Sequence, residues 1–430
     1  MLDRFFRLDE RGTTPSREVA GGVTTFLTMA YIIFVNPNIL ADAGMDHGAV
    51  ITATILAAAF GTLLAGLWAN VPFAMAPGMG LNAFFAYSLV IGEQVSWQTA
   101  LGVVFVSGIV FLALTLVGIR RHVVHAIPAD LRHAIAAGIG LFIAFIGVRS
   151  LGLIADDPGT LVRMGDIGQE VVLGLIGLAL IAVLEIRRVR GSILIGIVAT
   201  TVLGAVLGKV TLPQSVFSSP PDLAPVFMQM DLAGAVRWGM WGAIFSFMFV
   251  DLFDSVGTIM ACAHEAKMVD DDGSIHRVDR VLEADALATV AGSVLGTSTT
   301  TTYVESASGI VEGARTGLAN VVTGLLFLGA LFVTPLIAVV PAFATAPALV
   351  IVGVFMFRNV AQVDFRRLDA AVPAFLTMVL MPLTHSISTG LAFGFIASVV
   401  TATAAGRARE VHPVMWVIAI LSALEIGLRG

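Results

Sequence analysis

Apolar stretches long enough to cross a lipid bilayer recur along this chain from about residue 19 to its end. A helix needs about 20 apolar residues to cross the hydrocarbon core, and with its loop each span takes roughly 25 to 30 residues. The length of 430 residues therefore allows about fourteen spans and no large soluble domain. The predicted spans are 19–36, 49–69, 74–91, 98–118, 133–154, 170–186, 192–208, 236–262, 283–296, 303–314, 317–339, 345–357, 371–386 and 388–405. We therefore predict an all-α polytopic membrane protein.

The composition agrees with this prediction. Hydrophobic residues make up 57% of the chain and charged residues 13%, and the mean hydropathy is +0.93. A soluble domain carries about 25% charged residues, so this composition excludes a soluble enzyme, a nucleic-acid binder and a disordered scaffold. The single cysteine, Cys262, excludes an internal disulfide. The sequence has no Cys/His cluster, and we predict neither a metal nor another cofactor.

The placement of basic residues predicts the orientation of the chain. Lys and Arg concentrate in cytoplasmic loops. If residues 1–18 are cytoplasmic, 18 of the 24 Lys and Arg residues fall on the cytoplasmic side. They are Arg4, Arg7, Arg11, Arg17, Arg120, Arg121, Arg132, Arg187, Arg188, Arg190, Lys267, Arg277, Arg280, Arg358, Arg366, Arg367, Arg407 and Arg409. We predict a cell-membrane protein with a cytoplasmic N-terminus and, within 406–430, a terminal helix that lies at the membrane interface.

Two of the predicted spans, the third and the tenth, have sequences that interrupt a helix. The third contains Pro72, Pro77, Gly78 and Gly80, and the tenth opens with GTSTTTTYVES, a Thr-rich run that favours extended backbone. Irregular backbone at membrane depth is tolerated only where protein or a cavity surrounds it. Because the two segments lie seven spans apart, we predict two inverted repeats of seven segments with the site between the interrupted ones.

Carboxylates inside spans are costly, and each one indicates a functional site. Asp251 and Asp254 lie three residues apart in the eighth span, which places them about 60° apart on one helical face. The surrounding Phe residues are apolar, so this face is predicted to turn toward the protein interior. A structural carboxylate pair remains the alternative.

Three further polar residues fall in the abnormal segments. If a helix begins near Tyr303, Glu305 lies in its first turn, at the positive end of the half-helix dipole. Asn82 has the matching place in the third segment, and its amide can both donate and accept hydrogen bonds. Asp285 lies in the short ninth span (283–296) and is predicted to brace the core.

These groups predict the kind of substrate. Carboxylates and an amide would repel an anion, whereas they suit a neutral planar molecule with N–H donors between aromatic walls such as Phe73, Phe84, Phe85 or Tyr303. Nucleobases meet that description, and some cations do as well. An intramembrane aspartyl protease is a less suitable alternative, because Asp251 and Asp254 share one helix and cannot face each other.

The sequence resembles the second nucleobase–cation symporter family, the xanthine/uracil permease superfamily, and within it the hypoxanthine/guanine/adenine permease branch. The matching stretches are GGVTTFLTMAYIIFVNPNIL (21–40), PFAMAPGMGLNAFFAYS (72–88), FVDLFDSVGT (249–258), EADALATVAGSVLGTSTTTTYVESASGIVEGARTGL (283–318) and GRAREVHP (406–413). The resemblance implies a core domain from 19–118 and 236–339, and a gate domain from 133–208 and 345–405.

The resemblance also implies roles for the site residues. Asp251, Glu305 and Asn82 would bind substrate, Asp254 would carry the coupling proton, and Asp285 would support the core. The predicted function is proton-coupled uptake of hypoxanthine, guanine or adenine, and not enzymatic catalysis. Transport of uracil or xanthine, or of an anion on the same fold, stays the alternative. The predicted partners are a purine, protons and the bilayer, without nucleic acid; family members often form homodimers.

Overall fold

The computed structural model describes residues 2–118, 126–213, 215–269 and 277–429. Nine helices within these ranges are long and apolar enough to cross a membrane. They are Pro15–Asp42, His47–Ala69, Trp97–Val117, Ala129–Ser150, Gln169–Ile186, Trp241–Glu265, Gly317–Ala338, Ala342–Gln362 and Ile387–Ala404. Shorter apolar helices are Met79–Gly92, Ser192–Val206, Leu368–Leu383 and Pro413–Leu424. The chain is a multi-pass membrane protein, and the count of fourteen segments stays a prediction.

The regular elements follow one another in two long runs. In the first half they are α1 (Leu2–Phe6), α2 (Pro15–Met29), α3 (Ile32–Asp42), α4 (His47–Leu64, extended by a π-helix to Ala69), β1 (Met75–Pro77), α5 (Met79–Ala83, extended by a π-helix to Gly92), α6 (Trp97–Val117), α7 (Ala129–Ser150), β2 (Ile154–Asp157), β3 (Leu161–Met164), α8 (Gln169–Ile186) and α9 (Ser192–Val206). In the second half they are α10 (Leu232–Ala235), α11 (Trp241–Glu265), α12 (Val278–Leu295), β4 (Thr300–Thr302), α13 (Ser306–Val311), α14 (Gly317–Ala330), α15 (Thr334–Ala338), α16 (Ala342–Phe357), α17 (Leu368–Leu383), α18 (Ile387–Ala404) and α19 (Pro413–Arg429). Short 3₁₀ turns precede α11 and follow α14 and α16.

Two short strands from distant parts of the chain pair in the interior. β1 and β4 are antiparallel, with Ala76 opposite Thr301, and every residue of both strands is buried. The ladder is extended by the hydrogen bond from the backbone N–H of Tyr303 to the carbonyl of Ala74, at 2.9 Å. This pairing satisfies extended backbone that lipid would leave without partners. We call residues 72–92 segment three and residues 297–311 segment ten.

Segment ten is held closely against α2. A Cβ atom at Gly309 would collide with the side chain of Thr25 and the carbonyl of Gly21, so only glycine allows this approach. Just beyond the segment, the fully buried carboxylate of Glu18 accepts hydrogen bonds from the backbone N–H groups of Arg315 (2.7 Å) and Ala319 (3.1 Å). These contacts fix the position of α13 relative to the first apolar helix.

Several predicted boundaries differ from the observed ones. The first apolar helix begins at Pro15, within the residues assigned to the N-terminus, because Thr14 caps it and proline suits a first helical turn. The fifth span begins at Ala129, so Arg132 lies within α7 and not in a loop. The ninth begins at Val278 and is longer than predicted. Arg120 and Arg121, used for the orientation, lie outside the described residues.

Candidate functional site

A cavity of about 860 Å³ lies between two groups of helices. One wall is formed by α2, α11 and segment ten, and contributes Thr28, Asp254 and Glu305. The opposite wall is formed by α7, the connection between α8 and α9, and α16. The first group belongs to the predicted core domain and the second to the predicted gate domain, so the cavity follows the boundary between them.

Asp254 and Glu305 are the carboxylates that the first wall presents to the cavity. Both side chains are half-buried. Neither is in an ion pair with a Lys, Arg or His residue within the described ranges. Their oxygens can therefore accept hydrogen bonds from N–H groups of a bound molecule. Apolar surface beside them comes from Phe253 and Phe355.

Glu305 is oriented by a tyrosine from the other half of the chain. The fully buried Tyr31, at the break between α2 and α3, donates its hydroxyl hydrogen to Oε1 of Glu305 at 2.5 Å. The hydroxyl of Thr28 donates to the Glu305 carbonyl at 3.4 Å. The helix after the Thr run begins at Ser306, so Glu305 is its N-cap residue and does not lie in the first turn as predicted.

Asp251 does not line this cavity. Its side chain is 1% exposed, and its Oδ2 accepts a hydrogen bond from Thr289 of α12 at 3.3 Å. Its Oδ1 is buried and has no hydrogen-bond partner. The offset of about 60° from Asp254 turns Asp251 toward α12 instead of the cavity. In this arrangement the side chain of Asp251 therefore does not face the cavity, and its substrate contact stays a prediction.

Asp285 belongs to the same interior network. Its Oδ2 accepts a hydrogen bond from Ser255 of α11 at 2.7 Å, and its Oδ1 accepts one from Thr302 of β4 at 3.2 Å. The Ser255 hydroxyl also lies 2.8 Å from that of Thr301. Asp285 thus connects α12, α11 and β4 behind the cavity wall, and its core-supporting role stays a prediction.

Asn82 is placed away from the cavity. It is fully buried in α5, its Oδ1 accepts a hydrogen bond from the Ser298 hydroxyl, and its Nδ2 donates to the carbonyl of Pro77 at 3.5 Å. These bonds connect segment three to segment ten. Asn82 thus does not line this cavity, and its predicted substrate contact stays a prediction.

The predicted aromatic walls also differ from those observed. Phe73, Phe84, Phe85 and Tyr303 are buried in the protein interior and do not line the cavity. Tyr303 instead donates its hydroxyl to the Pro77 carbonyl at 2.5 Å. Within the described ranges, no group of three or more His, Cys, Asp or Glu side chains is arranged to hold a metal ion.

The sequence interpretation did not single out four residues of this arrangement: Tyr31, Thr289, Ser298 and Arg132. Tyr31 could not be identified from the sequence, because its neighbouring residues do not distinguish it from a tyrosine that faces the membrane. Thr289 and Ser298 were single hydroxyls within longer apolar or Thr-rich stretches. A recognisable signal existed for Arg132, since it lies close to the apolar start of the fifth span, and the structure places it in the cavity wall.

Residues 16–393 match the model of a family described as a permease family, that of the xanthine/uracil permeases. The chain is 45% identical over 427 residues to the adenine permease AdeP of Escherichia coli strain K12, covering 99% of this chain and 96% of that protein. It is 46% identical over 427 residues to the guanine/hypoxanthine permease PbuG of Bacillus subtilis strain 168, covering 96% of this chain and 97% of that protein. It is 48% identical over 425 residues to a putative permease of Methanocaldococcus jannaschii, covering 99% of this chain and 98% of that protein.

Solved structures share the fold at low sequence identity. The transmembrane domain of a cyanobacterium bicarbonate transporter, BicA, superposes with a TM-score of 0.64 at 16% identity, over 89% of this chain and 97% of that chain. The murine anion transporter Slc26a9 in the inward-facing state superposes with a TM-score of 0.61 at 10% identity, over 90% of this chain and 68% of that chain. At these identities the likeness shows the fold alone.

Proposed function

The chain belongs to the xanthine/uracil permease family, and on that premise we propose that it takes up purine nucleobases across the cell membrane by proton-coupled alternating access. The observation that carries this proposal is the pair of carboxylates, Asp254 and Glu305, on one wall of a single cavity. The relatives named adenine permease and guanine/hypoxanthine permease support purines as the class of substrate.

The base binds through its N–H groups. A purine is neutral and planar and presents N–H donors at its edge, which Asp254 and Glu305 accept. Hydrogen bonds to charged groups are about twice as strong as those between neutral groups, and they fix the direction of the ring. Phe253 and Phe355 supply apolar surface for its faces. The Tyr31 hydroxyl holds Glu305 in place for this contact.

The roles that we propose for the two eighth-span acids reverse the sequence prediction. Asp254 binds the base, because it lines the cavity. Asp251 carries the coupling proton, since its buried Oδ1 has no hydrogen-bond partner in the protein and is free to bind a proton. Asp285 lies nearby and is held by Ser255 and Thr302.

Transport follows from motion between the two walls. The cavity separates helices α2, α11 and segment ten from helices α7, α8, α9 and α16, so a displacement of one group against the other exposes the base to opposite sides in turn. We propose that the groups correspond to the core and gate domains given above. The Arg-rich face is cytoplasmic in this proposal, as the distribution of basic residues favours.

Uptake by purified protein in proteoliposomes tests the function. Labelled hypoxanthine, guanine and adenine are supplied with an inward proton gradient, and unlabelled uracil, xanthine, sulfate and bicarbonate serve as competitors. We expect at least one purine to accumulate, and the anions not to replace it at Asp254 and Glu305, because carboxylates accept hydrogen bonds from the N–H groups of a base and an anion without such donors cannot make these contacts. Strong inhibition by uracil without any by purines, or uptake of an anion alone, would refute the proposal.

A further inference from the structure

The wall opposite Asp254 and Glu305 carries positive charge. Arg132, Arg188, Arg190 and Arg358 all line the same cavity. The cavity therefore has an acidic wall and an opposite wall, which we call the basic wall, where the four arginines outnumber one carboxylate, Glu185, that accepts a hydrogen bond from Ser192. A free nucleobase is uncharged, so one guanidinium group is enough to donate to its ring acceptors, and the transport of a base does not by itself require four arginines on this wall.

Within the described residues, three of these arginines have no carboxylate partner: Arg132, Arg188 and Arg358, of which Arg358 lies over the Phe355 ring. Arg190 is paired with Glu312, but in the part of the chain that the structure describes Arg132 and Arg188 have no carboxylate within ion-pair distance. Both are therefore available to an anion that enters the cavity.

Arg132 differs from an arginine that only orients the chain in the membrane. It lies in the first turns of α7, where the helix dipole disfavours a cation. The side chain is half-buried, and its Nε is buried with no hydrogen-bond partner. A buried donor without a partner is costly, whereas a topological arginine would lie in water. Arg132 is thus arranged for an anionic partner that the described chain does not supply.

The volume of the cavity leaves room for more than a base. A cavity of about 860 Å³ is near the upper end of the range for small-molecule sites, which is roughly 300 to 1,000 Å³. A purine ring beside Asp254 and Glu305 fills only part of it. The arginines border the same cavity, and its volume can accommodate a sugar and one phosphate group attached to the ring.

We propose that the cavity also binds a purine nucleoside 5′-monophosphate, with its base at Asp254 and Glu305 and its phosphate at Arg132 and Arg188. Guanidinium groups bind phosphate in a bidentate manner and are the side chains best suited to it. This proposal rests on the proposed function for the base end of the site. A bound nucleotide bridges the two walls, prevents their relative motion and inhibits transport from the face that bears the arginines.

Competition binding to the purified full-length protein tests the inference. A labelled purine base is displaced with AMP, GMP or IMP, and in parallel with the corresponding nucleosides and with inorganic phosphate. We expect the matching monophosphate to displace the base at lower concentration than its nucleoside or phosphate does. Arg132→Gln should weaken nucleotide binding roughly 10- to 150-fold and leave base binding unchanged, because a charged hydrogen bond is lost only at the phosphate. Arg188→Gln should act in the same direction.

Arg366→Gln is the matched control, because Arg366 is exposed and does not line the cavity. It should change neither affinity. The inference would be overturned if a monophosphate displaced the labelled base no better than its nucleoside does. It would also be overturned if Arg132→Gln weakened the binding of the base and of the nucleotide equally. Phosphate that competes as well as the monophosphate would mean that the arginines hold a free anion. Direct binding of labelled nucleotide separates the two proposals: if the base fails to bind and the nucleotide binds through Arg132, only the transport function is wrong.

Discussion

The hydroxyl of Tyr31 donates a hydrogen bond of 2.5 Å to Glu305, a residue 274 positions later in the chain. This bond connects the first apolar helices to segment ten at the wall of the cavity. It holds the carboxylate of Glu305, one of the two that we propose to bind the base, in a fixed orientation. Removing the bond therefore tests the role of Glu305.

Tyr31→Phe removes the donor and keeps the ring. Without this bond Glu305 is no longer held in place for the base, so the KM for purine uptake should rise, by less than the roughly 10- to 150-fold expected if the Glu305 contact itself were lost. Tyr87→Phe is the matched control, because it removes a 2.7 Å bond from tyrosine to Asp42 that lies away from the cavity. Equal KM values for Tyr31→Phe and the unmodified protein would show that Tyr31 does not position Glu305.

The sequence allowed the fold class to be predicted because membrane helices have a strong local signal. Runs of apolar residues and the bias of Lys and Arg both follow from the properties of the bilayer. The Thr-rich run and the Pro–Gly run likewise indicated where extended backbone would occur, and the structure pairs β1 with β4 at those positions.

The arrangement of the site could not be predicted in the same way. A spacing of three residues places Asp251 and Asp254 on one face, but it does not decide which of them meets the cavity and which meets Thr289 of α12. That choice depends on how α11 is rotated against its neighbours, a tertiary property. The partners Tyr31–Glu305 and Asn82–Ser298 are separated by 274 and 216 residues, so no local pattern reveals them.

Asn82 is expected to act through Ser298 rather than on the substrate. Asn82→Ala and Ser298→Ala should each lower the free energy of unfolding by about 1 to 3 kcal/mol, since each leaves a buried polar partner unsatisfied. The double variant should lose less than the sum of the two, because it removes both partners of one bond. Chemical or thermal unfolding in detergent measures this coupling. A large rise in KM for Asn82→Ala with unchanged stability would instead indicate a substrate contact.

The orientation of the chain can be measured with single cysteines. The native Cys262 is fully buried, so it should not react with a membrane-impermeant maleimide. A cysteine at the exposed Met164, in the β2–β3 hairpin, should be labelled in intact cells. A cysteine at the exposed Arg366 should be labelled only after permeabilisation. The reverse pattern would place the N-terminus outside.

The central claim is that Asp254, together with Glu305, binds the purine while Asp251 carries the proton. The most direct measurement compares Asp254→Asn with Asp251→Asn for purine binding, and for uptake between about pH 5 and 8 in proteoliposomes, where burial and neighbouring charge decide when a carboxyl group takes a proton. We predict that Asp254→Asn weakens binding roughly 10- to 150-fold, because it removes a charged acceptor. We predict that Asp251→Asn binds purine normally but no longer concentrates it, with uptake that is flat across this pH range. Normal binding by Asp254→Asn, together with weakened binding by Asp251→Asn, would contradict the account and restore the roles that the sequence alone suggested.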